Sequence, residues 1–203
     1  MRTIRLGVLG SGTGSNFQAL LDAIQAGELD AEIVLVMSDV PQAQILERAR
    51  RVGIPASVID CRGYATKFPE EAQHEVAAAM RDAGADLICL AGFMRLIKAP
   101  LLAMFPQRVI NIHPSLLPAF PGLEAWKQAL DAGVTEAGCT VHYVDAGMDT
   151  GPHILQAKVP VFPDDTYATL HARIQAEEHR IYPEAVRRIA PALIQPEAGN
   201  HFA

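Results

Sequence analysis

The stretch IRLGVLGSGTGSN, residues 4 to 16, passes from an apolar run directly into a loop with three glycines. The run Ile4 to Leu9 is typical of a buried strand, and the amphipathic stretch Phe17 to Ala26 is typical of a helix that stops at Gly27. A strand, a glycine loop and a helix in this order are the first unit of many α/β folds. The opening stretch therefore predicts an α/β architecture.

The rest of the chain repeats this alternation of apolar strands and amphipathic helices. Further strands are predicted over Ala31–Met37, Ala56–Ile59, Asp86–Leu90 and Arg108–Ile112. Three helices are predicted between them: one that ends at Gly53, one over Phe68–Ala83 and one over Ala99–Met104. Strands that alternate with helices pair in parallel through right-handed crossovers. We therefore expect a Rossmann-like, mostly parallel sheet flanked by helices.

The second half of the sequence has a different pattern. A helix over Leu123–Ala132 precedes two strands, Cys139–Val144 and His153–Val161, whose alternation predicts an antiparallel extension of the sheet. A long helix then runs to about Ile189; Asp164 or Asp165 is its expected N-cap, and Pro183 should bend or divide it. The tail from Gln195 to Ala203 has no pattern and should be frayed. We expect the 203 residues to form one domain.

Composition excludes several classes of protein. Half of the 203 residues are hydrophobic and the formal net charge is −6, so a general nucleic-acid-binding surface is not expected. No window resembles a membrane span or a signal peptide, and the three cysteines lack metal or redox spacing. The composition predicts a soluble, cytoplasmic protein without a bound metal.

The glycine loop is suited to bind an anion. Its backbone N–H groups can converge at the positive end of the following helix, and Ser15 and Asn16 can add side-chain donors. The loop lacks the Lys-Ser/Thr of a Walker motif and the spacing of a dinucleotide fingerprint, although Asp39 after the second strand offers an acid for a ribose. The same residues also fit a tight turn in which Ser15 or Asn16 is only an N-cap.

A second polar group lies where the strand Arg108–Ile112 ends. Asn111 and His113 are two residues apart, so they project from the same face, and Pro114 stops the strand. An amide donor suits a developing oxyanion, and an imidazole can move a proton near neutral pH. The pair therefore predicts a catalytic site at the carboxyl edge of the sheet.

A carboxylate partner for His113 should come from the second half of the chain. The candidates are Asp145, Asp149, Asp164 and Asp165, and Asp149 is preferred because glycines flank it in a loop between two strands. A turn residue that makes only local hydrogen bonds is the alternative for Asp149, and a core or capping histidine is the alternative for His113.

Several motifs together resemble the phosphoribosylglycinamide formyltransferase family of purine biosynthesis. They are GTGSN (12–16), LAGFMR (90–95), NIHPSLLP (111–118), PG (121–122), MDTGP (148–152) and QAKVP (156–160). The resemblance runs through nearly the whole chain and implies transfer of a formyl group from 10-formyltetrahydrofolate to glycinamide ribonucleotide (GAR). It also implies a phosphate-binding half, residues 1–110, and a catalytic and folate-binding half, residues 111–190.

The resemblance further implies roles for individual residues. Asn111 would polarise the formyl carbonyl, His113 would stabilise the intermediate as imidazolium, and Asp149 would keep His113 charged and help to move protons through water. The phosphate and ribose of GAR would be bound by Gly14, Ser15, Asn16 and Glu178. Folate would be bound by Lys67, Met94, Arg95, Leu96, Ile97, Asn111, Asp145 and Asp149.

Three other functions are compatible with parts of this pattern. Formyltetrahydrofolate hydrolase uses water as the acceptor, and methionyl-tRNA formyltransferase acts on tRNA. Both families usually carry an additional domain that we do not expect here. A non-catalytic sensor of folate or nucleotide would need the glycine loop, but it would not need the proton-handling residues Asn111, His113 and Asp149.

Overall fold

The computed structural model describes residues 2–194, which form seven strands and six helices. The strands are β1 (Ile4–Leu9), β2 (Ala31–Ser38), β3 (Ala56–Val58), β4 (Leu87–Leu90), β5 (Val109–His113), β6 (Glu136–Tyr143) and β7 (His153–Pro160). The helices are α1 (Ser15–Gln25), α2 (Gln44–Arg51), α3 (Glu70–Asp82), α4 (Ala99–Met104), α5 (Ala125–Asp131) and α6 (Tyr167–Ile194).

All seven strands belong to one sheet, in the order β3-β2-β1-β4-β5-β6-β7. The pairs from β3 to β5 are parallel, and the pairs β5–β6 and β6–β7 are antiparallel. The predicted mostly parallel α/β sheet with an antiparallel C-terminal extension is thus confirmed.

Buried apolar side chains form two clusters. One joins β1, β2 and the antiparallel strands to α1, α2 and α6, with Phe17 and Tyr182 among its largest members. The other joins β4 to α3 and includes Val76 and Met80. Strands covered by helices in this way are apolar on both faces, which explains their near-continuous hydrophobic runs in the sequence.

The order of the strands places a crevice between β1 and β4. The chain leaves β1 toward β2 and β3 on one side and then returns to β4 on the other, so the loops after β1 and β4 diverge. Ligands of open α/β sheets bind at such a switch point, outside the carboxyl ends of the strands. Both the glycine loop and the segment after β4 therefore lie where a ligand is expected.

The cap and the continuity of the last helix differ from our expectation. Thr166 precedes α6 and its hydroxyl accepts the N–H of Thr169 at 3.2 Å, so Thr166 is the N-cap and the expected Asp164 or Asp165 is wrong. Asp165 instead pairs with Arg173. Pro183 lies inside α6 without dividing it. The expected fraying after Gln195 lies outside the described residues.

Candidate active site

Strands β5 and β6 bring four polar side chains together. Asn111 and His113 are two residues apart on β5, and their antiparallel partners on β6 are His142 and Thr140. Directly opposed residues of an antiparallel pair share a face, so His142 lies beside Asn111. The predicted pair on β5 is therefore part of a larger polar group.

His113 is held between a backbone carbonyl and a carboxylate. Its Nε2 lies 2.9 Å from the Phe120 carbonyl oxygen, which requires an N–H at Nε2, and its Nδ1 lies 3.4 Å from Asp149 Oδ2. The ring is only 5% exposed, and this burial lowers the pKa of His113, although the Phe120 carbonyl and the Asp149 charge act in the opposite direction. In the free protein His113 is thus biased toward the neutral form, with an unprotonated Nδ1 facing Asp149.

Asp149 lies in the β6–β7 loop with an unusual backbone conformation. Its φ of 56° is in the left-handed region, and a Cβ at the neighbouring Gly151 would lie 1.8 Å from the Tyr143 carbonyl oxygen. The Gly122 N–H donates to Asp149 Oδ2 at 2.9 Å. The glycine at position 151 and the bond from Gly122 thus fix the carboxylate next to His113, as the sequence suggested.

The charge state of Asp149 follows from its neighbours. Burial acts to raise the pKa of this carboxyl group, but His142, the Gly122 N–H and His113 outweigh it, and the pKa is lowered. The side chain is 13% exposed, so Asp149 is an ionised carboxylate that retains access to solvent.

His142 joins Asn111 to Asp149, a role that the sequence did not reveal. Its Nδ1 lies 2.9 Å from the Tyr143 carbonyl oxygen, so Nδ1 carries a proton, and Nε2 can accept from Asn111 Nδ2 at 3.2 Å. Its Nε2 also lies 3.6 Å from Asp149 Oδ1. A register shift between Val141 and His142 marks a bulge here. Alternation with Thr140 was the only signal of its orientation in the sequence.

The loop that supplies the Phe120 carbonyl is anchored to β6 and β7. Thr140 Oγ1 donates to the Ser115 carbonyl at 2.7 Å and accepts the Leu117 N–H at 3.1 Å. Gln156 Nε2 donates to the Leu117 carbonyl and to Thr140 Oγ1, both at 2.9 Å. These bonds satisfy the loop's buried polar groups and fix its path past His113.

The glycine loop packs tightly at one end and is open in the middle. Gly14 is the N-cap of α1 with φ 74°, and a Cβ there would lie 2.8 Å from Ile45 Cβ. A Cβ at Gly12 would meet no protein atom within 4 Å. Because Gly14 is the cap and no side chain caps the helix, the alternative of Ser15 or Asn16 as N-cap is wrong.

Ser15, Asn16 and Glu178 meet where α1 packs on α6. Ser15 Oγ accepts from Gln175 Nε2, and Asn16 Nδ2 donates to Glu178 Oε2, both at 3.0 Å. Asn16 Oδ1 is buried and has no hydrogen-bond partner among residues 2–194. Burial raises the pKa of Glu178 against the opposing effect of the Asn16 amide. Residues assigned together to GAR are thus adjacent, although 162 positions separate Asn16 from Glu178.

The segment after β4 exposes only some of the side chains assigned to folate. Met94 and Leu96 are exposed, whereas Ile97 is buried in the core. The Arg95 guanidinium is also turned inward, where Nε lies 2.6 Å from Asp39 Oδ2. The side chains of Met94 and Leu96 are therefore available for an apolar ligand, whereas those of Arg95 and Ile97 are not.

Lys67 and Asp145 belong to loops on either side of this region. Lys67 is exposed, with Nζ 5.0 Å from the centre of the Tyr64 ring, and its carbonyl accepts from Arg95 Nη1. Asp145 Oδ1 accepts from the Gly147 N–H at 3.0 Å and from Thr150 Oγ1 at 2.7 Å. Asp145 thus shapes the loop that carries Asp149.

Residues 2–194 contain neither a metal-binding cluster of side chains nor a helix that could span a membrane. No group of three or more His, Cys, Asp or Glu side chains there is arranged to hold a metal ion. No helix in the same range combines the length and the apolar character needed to cross a bilayer.

The chain is similar to known proteins over nearly its whole length. The phosphoribosylglycinamide formyltransferase of Bacillus subtilis is 43% identical over 185 residues, which cover 91% of this chain and 94% of that protein. The crystal structure of glycinamide ribonucleotide transformylase 1 from Symbiobacterium toebii superimposes with a TM-score of 0.89 at 52% identity, over 97% of this chain and 92% of that one.

A longer relative matches over a small part of its own length. The trifunctional purine biosynthetic protein adenosine-3 of Drosophila melanogaster is 47% identical over 98% of this chain, which spans 15% of that protein. The family model described as formyl transferase matches residues 4–186. The chain therefore belongs to the formyl transferase family.

Proposed function

We propose that the chain transfers the formyl group of 10-formyltetrahydrofolate to the amine of GAR, giving formyl-GAR and tetrahydrofolate in purine biosynthesis. The observation that carries the proposal is the cluster of Asn111, His113, His142 and Asp149 at the carboxyl edge of the sheet. Full-length relatives named phosphoribosylglycinamide formyltransferase support the choice of acceptor.

The reaction needs a site that stabilises an oxyanion and moves one proton. The GAR amine attacks the formyl carbon, and the carbonyl oxygen becomes negative in the tetrahedral intermediate. The bond from the formyl carbon to N10 of the folate then breaks. The amine loses one proton and N10 gains one, so the exchange balances without a metal or a covalent enzyme intermediate.

Asn111 is the oxyanion donor. One N–H of its amide is directed to His142 Nε2, which fixes the side chain and leaves the second N–H for the substrate oxygen. A donor that is oriented before the reaction does not need to reorganise as charge develops, which is the basis of oxyanion stabilisation. His142 acts here through Asn111.

His113 and Asp149 handle the proton. Asp149 is ionised and is the first acceptor of the proton from the attacking amine. Because its pKa is lowered, it is a weak base and passes the proton on. The neutral Nδ1 of His113, 3.4 Å away, is the better acceptor. Transfer to Nδ1 creates an imidazolium beside the oxyanion as the intermediate forms. The same proton is then donated to N10 of the folate.

In one respect we propose a role for Asp149 that differs from the one first expected. The sequence resemblance implied that Asp149 keeps His113 charged, whereas burial lowers the pKa of His113 in the free protein. We infer that the charge arrives with the substrate proton. The two ring nitrogens face the Phe120 carbonyl and Asp149, so neither N–H is directed at the oxyanion. The imidazolium therefore stabilises the oxyanion through the electric field of its charge.

The two substrates lie on opposite sides of this cluster. We infer that the GAR phosphate occupies the open glycine loop around Gly12 to Ser15 and that its ribose lies on the side of Asn16 and Glu178. Folate lies along the exposed side chains of Met94 and Leu96, with Lys67 and Asp145 in the bordering loops. The backbone of residues 94–97 supplies the remaining contacts.

We also infer that the chain works as one cytoplasmic unit on small molecules, without nucleic acid or membrane partners. The acidic composition and the single sheet shared by residues 1–110 and 111–190 support this inference. The tail at 195–203 has no assigned role.

The test measures tetrahydrofolate release from 10-formyltetrahydrofolate with and without GAR. We expect release that depends on GAR and saturates with it, together with an equal amount of formyl-GAR. Release that is independent of any amine would identify a hydrolase. Release that requires methionyl-tRNA in place of GAR would identify the tRNA enzyme. Binding of both ligands without turnover would identify a sensor.

A further inference from the structure

Arg95 is buried in a closed ring of polar contacts. Its Nε lies 2.6 Å from Asp39 Oδ2, and its Nη1 donates to the carbonyls of Tyr64 at 2.9 Å and Lys67 at 2.6 Å. The Arg95 and Asp39 side chains are 8% and 6% exposed. The guanidinium therefore has little access to any ligand.

The ring closes through the glycine loop. Ser11 Oγ donates to Asp39 Oδ1 at 2.6 Å and accepts the Met94 N–H at 3.0 Å. Since Met94 precedes Arg95, the contacts form a circuit from Met94 to Ser11, Asp39 and Arg95. The circuit ties together the segments that follow β1, β2 and β4.

This circuit lies at the crevice where the strand order reverses. The Ser11 N–H also donates to the Gly92 carbonyl at 3.0 Å, so backbone and side-chain bonds act together. Arg95 further reaches the loop at Tyr64 and Lys67, which borders the expected folate pocket. The buried Arg95 side chain thus contacts both the segment after β2, at Asp39, and the loop at Tyr64 and Lys67.

The circuit also removes one alternative use of Asp39. An acid after the second strand can bind a ribose in dinucleotide-binding folds. Here Oδ1 accepts from Ser11 and Oδ2 pairs with Arg95, so both oxygens are engaged inside the protein.

We propose that Arg95 and Asp39, linked through Ser11, are positioning residues that hold the segment 94–97 in register with the glycine loop for folate binding. The proposal rests on the proposed function. Arg95 acts through the backbone of this segment and through Met94, not by contact with folate. A planar guanidinium that makes several fixed bonds is suited to this role, and lysine is not equivalent.

The first test is the kinetics of Asp39→Asn, Arg95→Lys and Ser11→Ala. In each variant we expect the KM for 10-formyltetrahydrofolate to rise about tenfold or more, with kcat and the KM for GAR changed by less than about threefold. If these residues served only stability, the variants would have a lower melting temperature, and the KM for 10-formyltetrahydrofolate would not rise separately from kcat and the KM for GAR. Equal KM values in the variants and the wild type would overturn the proposal.

Asp165→Asn is the matched control. Asp165, in front of α6, pairs with Arg173 at 2.7 Å; the Asp165 side chain is 3% exposed and that of Arg173 is 27% exposed. It is therefore an Arg–Asp pair with a similarly buried carboxylate, remote from the circuit. We expect this variant to lose stability while the KM for 10-formyltetrahydrofolate stays at the wild-type value. If the KM for 10-formyltetrahydrofolate rose equally in Asp39→Asn and Asp165→Asn, the loss of any Arg–Asp pair would have this effect. That result would overturn the proposal.

The second test needs no turnover, so it remains informative if the proposed reaction is wrong. Calorimetry measures binding of tetrahydrofolate, and hydrogen exchange measures protection of the Met94 amide, which donates to Ser11 Oγ. We expect weaker binding and faster exchange at residues 94–97 in Ser11→Ala, which keeps both charges of the pair. Wild-type affinity together with wild-type exchange in this variant would overturn the proposal, even if Asp39→Asn fails to fold.

Discussion

The glycine loop and the β5–β6 edge are both polar ligand-facing regions, but their side chains are held in different ways. Around the loop, side chains bond to each other across helices and strands, as in the pairs Asn16–Glu178 and Ser15–Gln175. At the β5–β6 edge, the rings of His113 and His142 are fixed by backbone carbonyls. Asp149 stays 3.4 and 3.6 Å from the two rings.

This difference separates binding from chemistry. Side-chain pairs around the loop make a rigid receptor, and its polar groups are largely satisfied before a ligand arrives. At the β5–β6 edge, the gaps exceed ordinary hydrogen-bond lengths, and a proton placed between His113 and Asp149 would shorten them. Positive φ values at Phe120 and Asp149 show that the backbone is strained there, as is common at functional sites.

The largest predicted effect is loss of turnover at the β5–β6 edge. Asp149→Asn keeps the size of the side chain and an acceptor for the Gly122 N–H, but it removes the charge and the proton relay. We expect kcat to fall about 10²–10⁴-fold, because general acid–base catalysis contributes that much. Steady-state kinetics and calorimetric binding of GAR would separate kcat from affinity.

The surface variant Glu184→Gln is the control for that experiment. Glu184 pairs with Arg187 and Arg188 on the exposed side of α6, and its loss should leave kcat unchanged. If Asp149→Asn retained wild-type kcat, the difference between the two regions would disappear and the relay would be wrong.

The second prediction uses two glycines of the loop. An alanine at Gly14 would need φ 74° and would meet Ile45 at 2.8 Å. We expect Gly14→Ala to lower the free energy of unfolding by about 2–4 kcal/mol, from left-handed strain and overpacking. Gly12→Ala meets no protein atom, so its stability should change by less than about 0.5 kcal/mol.

The two glycine variants should separate in function as well. Because Gly12 faces open space, a methyl group there would crowd the phosphate, and we expect the KM for GAR to rise in a normally stable protein. Chemical denaturation and steady-state kinetics would measure the two effects. A wild-type KM for GAR in Gly12→Ala would show that the phosphate does not bind at this part of the loop.

Local periodicity predicted much of the fold and half of the proposed catalytic cluster. The spacing of two on a strand placed Asn111 and His113 on one face, and the structure has them there. Alternation with Thr140 showed that His142 could line the site, but its contact with Asn111 depends on the register of β6 against β5, which no local pattern determines.

Side chains whose partners are distant in sequence were the hardest to interpret. The resemblance assigned Arg95 to folate, yet its side chain pairs with Asp39, which is 56 positions away. Likewise, no pattern near Glu178 shows that Asn16 shares its buried site. The resemblance to a family supplied Glu178 and Asp149, but it could not supply the contacts that decide their charge.

The third prediction concerns Glu178→Gln and is a gain of stability. Gln keeps an acceptor for Asn16 Nδ2 and adds N–H donors beside Asn16 Oδ1, which is buried without a partner among the described residues. It also removes the cost of a buried charge. We expect the free energy of unfolding at pH 7 to rise by about 1 kcal/mol.

The pH dependence of the stability gained in Glu178→Gln tests whether the gain comes from removing the carboxylate. Burial raises the pKa of Glu178 above 4.5, so just above pH 4.5 the folded chain holds a proton that the unfolded chain has released. The wild type therefore loses stability as pH rises through this window, and the glutamine variant does not. Denaturation curves should differ most at neutral pH and converge below pH 4.5. A gain that persists unchanged at acid pH would not come from the carboxylate.

The smallest effect is a change in the titration of His113. In the wild type, burial should place the pKa of His113 below 6.5, and the charge of Asp149 opposes that shift. Asp149→Asn removes the opposing charge, so the pKa should fall further. Nitrogen-15 NMR of the imidazole rings would follow the titration and should show a proton on Nε2 and none on Nδ1 at neutral pH. A wild-type pKa above the pH of the assay would mean that the imidazolium predominates before substrate binds, and proton transfer from the amine would then need Asp149 alone.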